Sequence, residues 1–292
     1  MLLERLVIPG YVSQLTEFDA MQIHNKRNRV VQNVLGTDVD VLSWSDAVER
    51  IFSWAATRES RAVCICNVHN IITARQILAH GERLRSADMV TPDGAPIAWF
   101  MRKMGHLSQE RIAGPDLMMK CCERAAETGE GIFLYGGTDK TLKHLKSALL
   151  HKFPELKIIG AVSPPFRELT RDEDAAIVEL INSSGASIVW VGLGCPKQEA
   201  WMHAHKGQIK AVMVGVGAAF DFHAGLTKRA PVWMQKNGWE WLYRLLQDPR
   251  RLAKRYLTTN TIFLAAVMGE LLRRPRTVVP TGHLNKPADL AD

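Results

Sequence analysis

The sequence has no apolar run of about 18 residues or more, which is the length that a membrane-spanning helix needs. The nearest approach is TIFLAAVMG at residues 261–269, which is too short. The first residues, MLLERLVIPGYVSQ, have no long apolar core after a basic start, so they do not look like a secretory signal. We therefore expect a cytoplasmic chain that does not cross a membrane.

The cysteines also exclude some classes of site. There are five, an odd number, and none of their spacings fits a zinc ribbon or a zinc finger. A full disulfide framework is therefore not expected, and the thiols indicate a reducing compartment. The chain also lacks the G-x-G-x-x-G fingerprint and the P-loop, so the sequence supports neither dinucleotide nor ATP binding.

Positive charge is present in excess and is unevenly distributed. The net charge of +7 over 292 residues indicates an anionic partner: nucleic acid, a phosphorylated small molecule or an anionic membrane. Residues 226–276 hold eleven Lys and Arg residues against three acids. We predict a weakly patterned leader (1–34), a core (35–225), a basic helical appendage (226–276) and a disordered tail (277–292).

Within the predicted core, short β-rich runs alternate with amphipathic helical patterns. The predicted strands are AVCICNV (62–68), DMVT (88–91), GIFLYGG (131–137), LKIIGAV (156–162), ASIVWVGLG (186–194) and KAVMVGVGAAF (210–220). Two of the clearest helical patterns lie at residues 116–129 and 172–185. Near-continuous apolar strands alternating with helices predict an α/β fold, with a parallel sheet covered by helices on both faces.

Ligands of such sheets bind at the carboxyl ends of the strands, so the residues that follow the strands are the first candidates. Asp93 stands between Pro92 and Gly94, and it is either an ordinary turn residue or a functional acid or base. Asn67 lies at the end of the first predicted strand and is suited to orienting sugar hydroxyls. His69 lies beside it, but a lone His is more often a packed or capping residue.

Three further strand ends carry candidate residues. Gly136 and Gly137 precede a helix whose N-terminus favours phosphate, although a tight turn alone also explains them. Gln198 follows a turn fixed by proline, and the alternative is that it merely begins the next helix. Asp221 lies between two phenylalanines and needs a partner, either a ligand or a salt bridge to Arg229.

Two positions lie at predicted helix starts. Arg111 is either an anion clamp or a surface residue, whereas Asp116 is interpreted as a helix cap. Asp248 is predicted to cap a helix that begins at Pro249.

The basic appendage permits three interpretations: a nucleic-acid-binding surface, a solvated basic face, and attachment to an anionic membrane. No named nucleic-acid-binding motif appears. We favour the membrane because aromatic residues interleave with the positive charge. These residues are Trp233, Trp239, Trp241 and Tyr256.

Several motifs occur together in a fixed order. They are TPDGAPIAW, RIAGPDL, FLYGG, SPPF, VWVGLGCPKQEAW, GVGAAFDFHAGLTKRAP and GWEWLYRLLQDPRRLAKRY. Over about residues 35–264 the chain resembles the WecG/TagA/CpsF glycosyltransferases, glycosyltransferase family 26. The order and spacing of all the motifs carry this resemblance. Two positions depart from the usual pattern: Trp239, where the family usually has Leu, and Ala218, where it often has a second Gly.

The resemblance implies an inverting, metal-independent hexosyltransferase that moves a sugar from a UDP-sugar to a polyprenyl-diphosphate-linked acceptor. It implies a Rossmann-like core, with a basic helical appendage that binds the cytoplasmic face of the membrane. It also implies site residues: Asp93 as the catalytic base, Asn67 and Arg111 beside it, and Gln198 and Asp221 at the donor. The family's appendage arginines match Arg244, Arg251 and Arg255.

The resulting hypothesis is a peripheral membrane UDP-sugar glycosyltransferase of polysaccharide assembly, with no cofactor and no bound metal. Asn67, Gln198 and Asp221 position the donor sugar, while Arg111 and the Gly136-Gly137 turn hold its diphosphate. The alternatives are a catalytically inactive nucleotide-sugar binder on the same fold and a basic nucleic-acid-binding protein, although no nucleic acid is expected as a partner. The donor sugar, the acceptor and a homo-oligomeric state stay open.

Overall fold

The fold is built from short strands joined by helices, and a computed structural model describes it for residues 29–273. The strands are β1 (Val31–Val34), β2 (Thr37–Asp40), β3 (Arg61–Cys66), β4 (Met89–Pro92), β5 (Gly131–Gly136), β6 (Lys157–Val162), β7 (Ile188–Gly192) and β8 (Val212–Gly215). The helices up to residue 223 are α1 (Trp44–Ala56), α2 (Val68–Gln76), α3 (Leu78–Ser86), α4 (Ala95–Lys103), α5 (Gly114–Thr128), α6 (Asp139–Lys152), α7 (Arg171–Ser183), α8 (Lys197–His205) and α9 (Ala219–His223). The last three helices are α10 (Val232–Lys236), α11 (Glu240–Gln247) and α12 (Pro249–Arg273).

Six strands form one sheet in the order β4-β3-β8-β7-β5-β6, and every pairing in it is parallel. These are the six predicted strands: four lie within the predicted bounds, while β3 begins one residue earlier and β4 is shifted by one residue. Parallel neighbours need a crossover connection, and the helices between the strands supply it. The predicted α/β fold with a Rossmann-like parallel sheet is therefore confirmed.

Helices cover both faces of the sheet because side chains along each strand point alternately to the two sides. Along β7, Trp190 packs into a cluster with α1, α5 and α6. Its neighbours Val189 and Val191 pack on the opposite side with α2, α3, α4, α8 and α12. Both faces of the sheet are therefore buried, which accounts for the almost unbroken apolar sequence of the strands.

The hairpin of β1 and β2 lies outside this sheet and is antiparallel. It begins at Val31, inside the segment assigned to the leader, and Val34 is fully buried. Asp40 anchors it, because its carboxylate accepts from Arg29 Nε at 2.9 Å and from the Val90 N–H at 2.6 Å. Residues 29–34 thus belong with the core, while residues 1–28 and the predicted tail lie outside the described residues.

The appendage is helical and is fixed to the core at its far end. α12 begins at Pro249, and the Arg251 N–H donates to Asp248 Oδ1 at 3.3 Å, so the predicted cap is confirmed. Further along α12, Phe263 and Val267 are fully buried where the helix packs against α2. Within residues 29–273 no helix is both long and apolar enough to cross a membrane.

Candidate active site

The turn after β4 presents Asp93 at the carboxyl end of the sheet. The Asp93 N–H donates to Cys66 O at 2.9 Å, so the backbone of Asp93 continues the ladder between β4 and β3. Gly94 follows with a φ of +99°, a conformation that residues with a Cβ rarely adopt. Helix α4 then starts at once, with Pro96 in its first turn. The turn therefore fixes where the carboxylate stands.

The Asp93 carboxylate lies against one arginine. Arg111 Nε donates to Asp93 Oδ1 at 3.2 Å, and the neighbouring Ile112 N–H is bonded to Pro92 O at 2.9 Å. Burial raises the pKa of Asp93, and Arg111 opposes that rise without cancelling it. A half-buried carboxyl with a raised pKa at a strand end is a group suited to accepting a proton.

Glu240, the first residue of α11, completes this site from the appendage. Its Oε2 accepts from Arg111 Nη2 at 2.7 Å, and its Oε1 lies 3.8 Å from Arg229 Nε. Arg229 also binds both oxygens of Asp116, at 2.6 and 2.7 Å. Three carboxylates and two guanidinium groups therefore form one chain of ion pairs that ends at Asp93.

Two assignments made from the sequence change with this network. Asp116 lies in the first turn of α5, whose N-cap position is Ala113, so Asp116 is not a cap but an ion-pair partner. Arg229, weighed as the partner of Asp221, is bonded to Asp116 instead. Burial raises the pKa of Asp116, but the bonds from Arg229 outweigh it and hold that pKa below its ordinary value.

The three appendage arginines differ in where they point. Arg244 on α11 stacks over the ring of Phe222 at 5.5 Å, and its charge lowers the pKa of Asp93. Arg255 on α12 lies near enough to His69 for its charge to help burial lower the His69 pKa. Arg251 is exposed and pairs with Asp248. The structure therefore turns Arg244 and Arg255 toward the strand ends, and Arg251 toward solvent.

Asn67 lies directly after β3, the neighbour of β4 in the sheet. Its Oδ1 accepts from the Asn70 N–H at 3.2 Å, so it caps the N-terminus of α2. Asn67 therefore lies beside the Asp93 turn, since Cys66 pairs with Pro92 in the sheet.

Gln198 is buried rather than exposed to a ligand. Its Oε1 accepts from the Gly194 N–H at 3.2 Å, and its Nε2 donates to Gly215 O and to Glu199 Oε1, both at 3.1 Å. An added Cβ on Gly217 would lie 3.3 Å from its Oε1. The side chain thus joins the loop after β7 to the end of β8.

The Gly136-Gly137 turn ends β5 and is closely packed. A Cβ at Gly136 would lie 2.7 Å from the backbone of Gly192, and both glycines have a positive φ. The N-terminus of α6 follows, where Thr141 Oγ1 donates to Asp221 Oδ1 at 3.3 Å. Asp221 therefore lies beside the helix that follows the Gly-Gly turn.

Asp93 and the Gly136-Gly137 turn follow strands that are not neighbours in the sheet. Four strand intervals separate β4, which leads to Asp93, from β5. At about 4.8 Å per interval, the ends of these two strands are about 19 Å apart. The guanidinium of Arg111 contacts Asp93 and Glu240. The expectation that Arg111 and the Gly136-Gly137 turn hold one diphosphate stays a prediction.

Comparison with known sequences identifies the family. The sequence model of the Glycosyl transferase WecG/TagA/CpsF family matches residues 32–277, most of the chain. The chain belongs to this family. It is similar to proteins named N-acetylglucosaminyldiphosphoundecaprenol N-acetyl-beta-D-mannosaminyltransferase from Staphylococcus aureus strains MW2 and NCTC 8325 / PS 47. Each is 28% identical over 239 residues, which cover 80% of this chain and 91% of the relative.

The glycosyltransferase assignment, of the hexosyltransferase class, agrees with the fold and with the residues at the strand ends. The resemblance seen in the motifs is confirmed by the family match. The individual roles of Asp93, Asn67, Arg111, Gln198 and Asp221 are taken up below as a proposal.

One cluster of metal-ligand types lies beneath the glycosyltransferase site. One ligand atom each from His80, Cys195 and Glu199 lies within 4.8 Å of the others in the described part of the chain. Asn70 Oδ1 stands between two of them, 2.7 Å from Cys195 Sγ and 3.1 Å from His80 Nε2. Burial raises the pKa of Cys195 and Glu199, and it lowers that of His80 to about 4. Cys195 is thus a thiol and His80 a neutral imidazole near pH 7, and both contact Asn70, while Glu199 accepts a hydrogen bond from Gln198.

Glu240 is the member of this ion-pair network that sequence reasoning missed. The pairing of Glu240 with Arg111 joins positions 129 residues apart, which no local pattern displays. One signal was available: Glu240 is one of only three acids in the basic appendage, and tryptophans flank it on both sides.

Proposed function

We propose that this glycosyltransferase moves a hexose from a UDP-sugar to a polyprenyl-diphosphate-linked saccharide during the synthesis of a bacterial cell-wall or surface polymer. The observation that carries the proposal is the Asp93 carboxylate, held at a strand end with a raised pKa. The S. aureus relatives are named as transferring N-acetylmannosamine to a lipid diphosphate. UDP-N-acetylmannosamine is therefore the first donor to test.

The donor is proposed to lie along the carboxyl edge of the sheet. Its nucleotide and diphosphate lie over the Gly136-Gly137 turn and the N-terminus of α6, where backbone N–H groups and the helix dipole favour negative charge. Asp221, bonded to Thr141, faces the same end. The sugar then extends over β8 and β3 toward Asn67 and Asp93. This placement uses both groups of predicted residues although about 19 Å separates their strands.

Transfer is proposed as one displacement with inversion. Asp93 takes the proton of the acceptor hydroxyl as that oxygen bonds to the anomeric carbon of the donor sugar. The bond from this carbon to the UDP oxygen breaks, and the leaving diphosphate keeps the electron pair. The α6 N-terminus and nearby arginines stabilise the developing charge. No metal takes part in this proposal, so chelation with EDTA should leave the rate unchanged.

Access to a lipid-linked acceptor is proposed through the appendage, on the cytoplasmic face of the membrane. Its tryptophans Trp233, Trp239 and Trp241 are 60%, 52% and 41% exposed. Exposed indole rings beside Lys and Arg are typical of a helix that lies in the membrane interface. The appendage thus supports a peripheral enzyme that meets its acceptor at the bilayer surface.

A donor screen tests the proposal. Purified enzyme is mixed with a synthetic polyprenyl-diphosphate N-acetylglucosamine acceptor and, in turn, UDP-N-acetylmannosamine, its uronic acid and UDP-glucose, and products are identified by mass spectrometry. We expect one added sugar from one donor and, by NMR, an inverted anomeric linkage. UDP binding without product from any donor would instead favour the inactive nucleotide-sugar binder.

A further inference from the structure

Glu240 is a buried acid that contacts the arginine bonded to the proposed base. It is 8% exposed and lies at the first position of α11. Its carboxylate bridges Arg111, at 2.7 Å, and Arg229, at 3.8 Å. A buried carboxylate is costly unless charged partners hold it, so this placement is maintained by the two arginines.

The start of α11 also rests directly on the turn that carries Asp93. Gly238 has a φ of +76°, and a Cβ built on it would lie 2.7 Å from the Cβ of Ala95. Ala95 follows Gly94 and begins α4. Gln235 O, just before this contact, lies 3.5 Å from Arg111 Nη1. The contact of Gly238 with Ala95 and the ion pair of Glu240 with Arg111 are independent observations. Both place the same part of the appendage against the turn that carries Asp93.

We infer that Glu240 is a positioning residue for the transfer reaction: by holding Arg111, it orients the Asp93 carboxylate and keeps it basic. This inference rests on the proposed role of Asp93 as the base. Arg111 lies between Asp93 and Glu240, so its positive charge interacts with both carboxylates and not with Asp93 alone. An effective base at Asp93 therefore requires that α11, which carries Glu240, is docked on the core.

The charged and titratable groups that face Asp93 give the sign of the effect. They are Arg111, Glu240 and Arg244, with the Cys66 thiol below them. Burial is the main cause of the raised Asp93 pKa, and the charge of Glu240 raises it further, while both arginines lower it. Removing the Glu240 charge therefore lowers the Asp93 pKa and makes the base weaker.

The test is Glu240→Gln, which removes the charge and keeps the size of the side chain. Because Asp93 must be ionised to act, kcat/KM of the wild type falls on the acidic side of its pKa. In the variant this acidic limb should move to lower pH by about half a unit or more. The kcat on the plateau should fall about tenfold, as expected for a weaker and less well oriented base.

The matched control is Glu49→Gln, which removes another carboxylate from an ion pair, the exposed one with Arg124. It should leave both the pH profile and kcat unchanged. A Glu240→Gln enzyme with an unmoved acidic limb overturns the inference, whether its activity is normal or is reduced equally at all pH values through lost stability. Failure of the underlying proposal appears differently: Asp93→Asn would then retain turnover, whatever Glu240→Gln does.

Discussion

Asp93 and Asp116 lie at the two ends of one chain of ion pairs, but their environments shift their pKa values in opposite directions. Burial dominates at Asp93 and raises its pKa, whereas the two bonds from Arg229 dominate at Asp116 and lower its pKa. A group with a raised pKa binds more protons in the folded state than in the unfolded state, so its ionisation costs stability. Asp93 thus costs stability at neutral pH, as a catalytic group often does.

The variants Asp93→Asn and Asp116→Asn should therefore have opposite effects on stability. Asp93→Asn should raise Tm at pH 7, and the gain should shrink as the pH falls through the raised folded pKa toward the ordinary value of 3.8. Asp116→Asn should lower Tm at pH 7, and this loss should shrink as the pH falls through its lowered folded pKa. Thermal scans from about pH 2 to about pH 8 measure both, and Tm shifts of the same sign at pH 7 would contradict the account.

At the scale of single residues, the sequence shows chemistry that depends on position along a strand and misses chemistry that depends on contact through space. Asp93 could be singled out because a Pro-Asp-Gly turn after an apolar strand must lie at the carboxyl edge of the sheet. Glu240 could not, since its partner is distant in sequence. Gln198 was placed correctly after β7, where it lies in the first turn of α8, but its burial depends on contacts with Gly194 and Gly215.

At the scale of elements, Gly238, just before α11, packs closely against Ala95 at the start of α4. Gly238→Ala places a Cβ 2.7 Å from that of Ala95 and also strains a φ of +76°. Gly185→Ala is the matched control, since Gly185 has a φ of +78° and nothing within 4 Å of its added Cβ. Both should lose about 1 kcal/mol through backbone strain.

Only Gly238→Ala should lose activity, because it pushes Glu240 away from Arg111. We expect a fall in kcat of about tenfold or more for it, and no change for Gly185→Ala. Steady-state kinetics at a temperature well below both Tm values separate the two effects. Equal activity in the two variants would show that α11 does not need this contact.

Some elements could be predicted because local sequence patterns mark them, and others could not because they depend on contacts between distant segments. The six sheet strands and helices α5 and α7 could be predicted, since apolar runs and caps mark them. The hairpin starting at Val31 was missed because two strands of four residues give little pattern. The docking of α12 on α2 was missed because an amphipathic face does not show which surface covers it.

At the scale of the whole molecule, the appendage has one face that contacts the core and one face that is exposed. One contacts the core through Glu240, Phe263 and Val267, all of them buried. The other exposes aromatic and apolar side chains beside basic residues. Removing residues after 225 would uncover the core as well as the outer face, so surface substitutions test membrane binding more cleanly.

The triple variant with Trp233, Trp239 and Trp241 changed to Ser should lose most binding to vesicles containing anionic lipid, by about tenfold or more. The matched control is Phe166→Ser, which removes an aromatic ring that is 90% exposed in a loop outside the appendage. Co-sedimentation over a salt series measures both, and binding of the wild type should weaken with salt. Equal binding by the triple variant would assign the membrane contact to another surface.

The most direct test of the central claim compares the wild-type chain with Asp93→Asn in two measurements on the same preparations. One is transfer from UDP-N-acetylmannosamine to a polyprenyl-diphosphate N-acetylglucosamine acceptor, and the other is UDP binding by calorimetry. The account predicts that the variant binds UDP as the wild type does and forms product at least about 10²-fold more slowly. Transfer by the variant at the wild-type rate would contradict it.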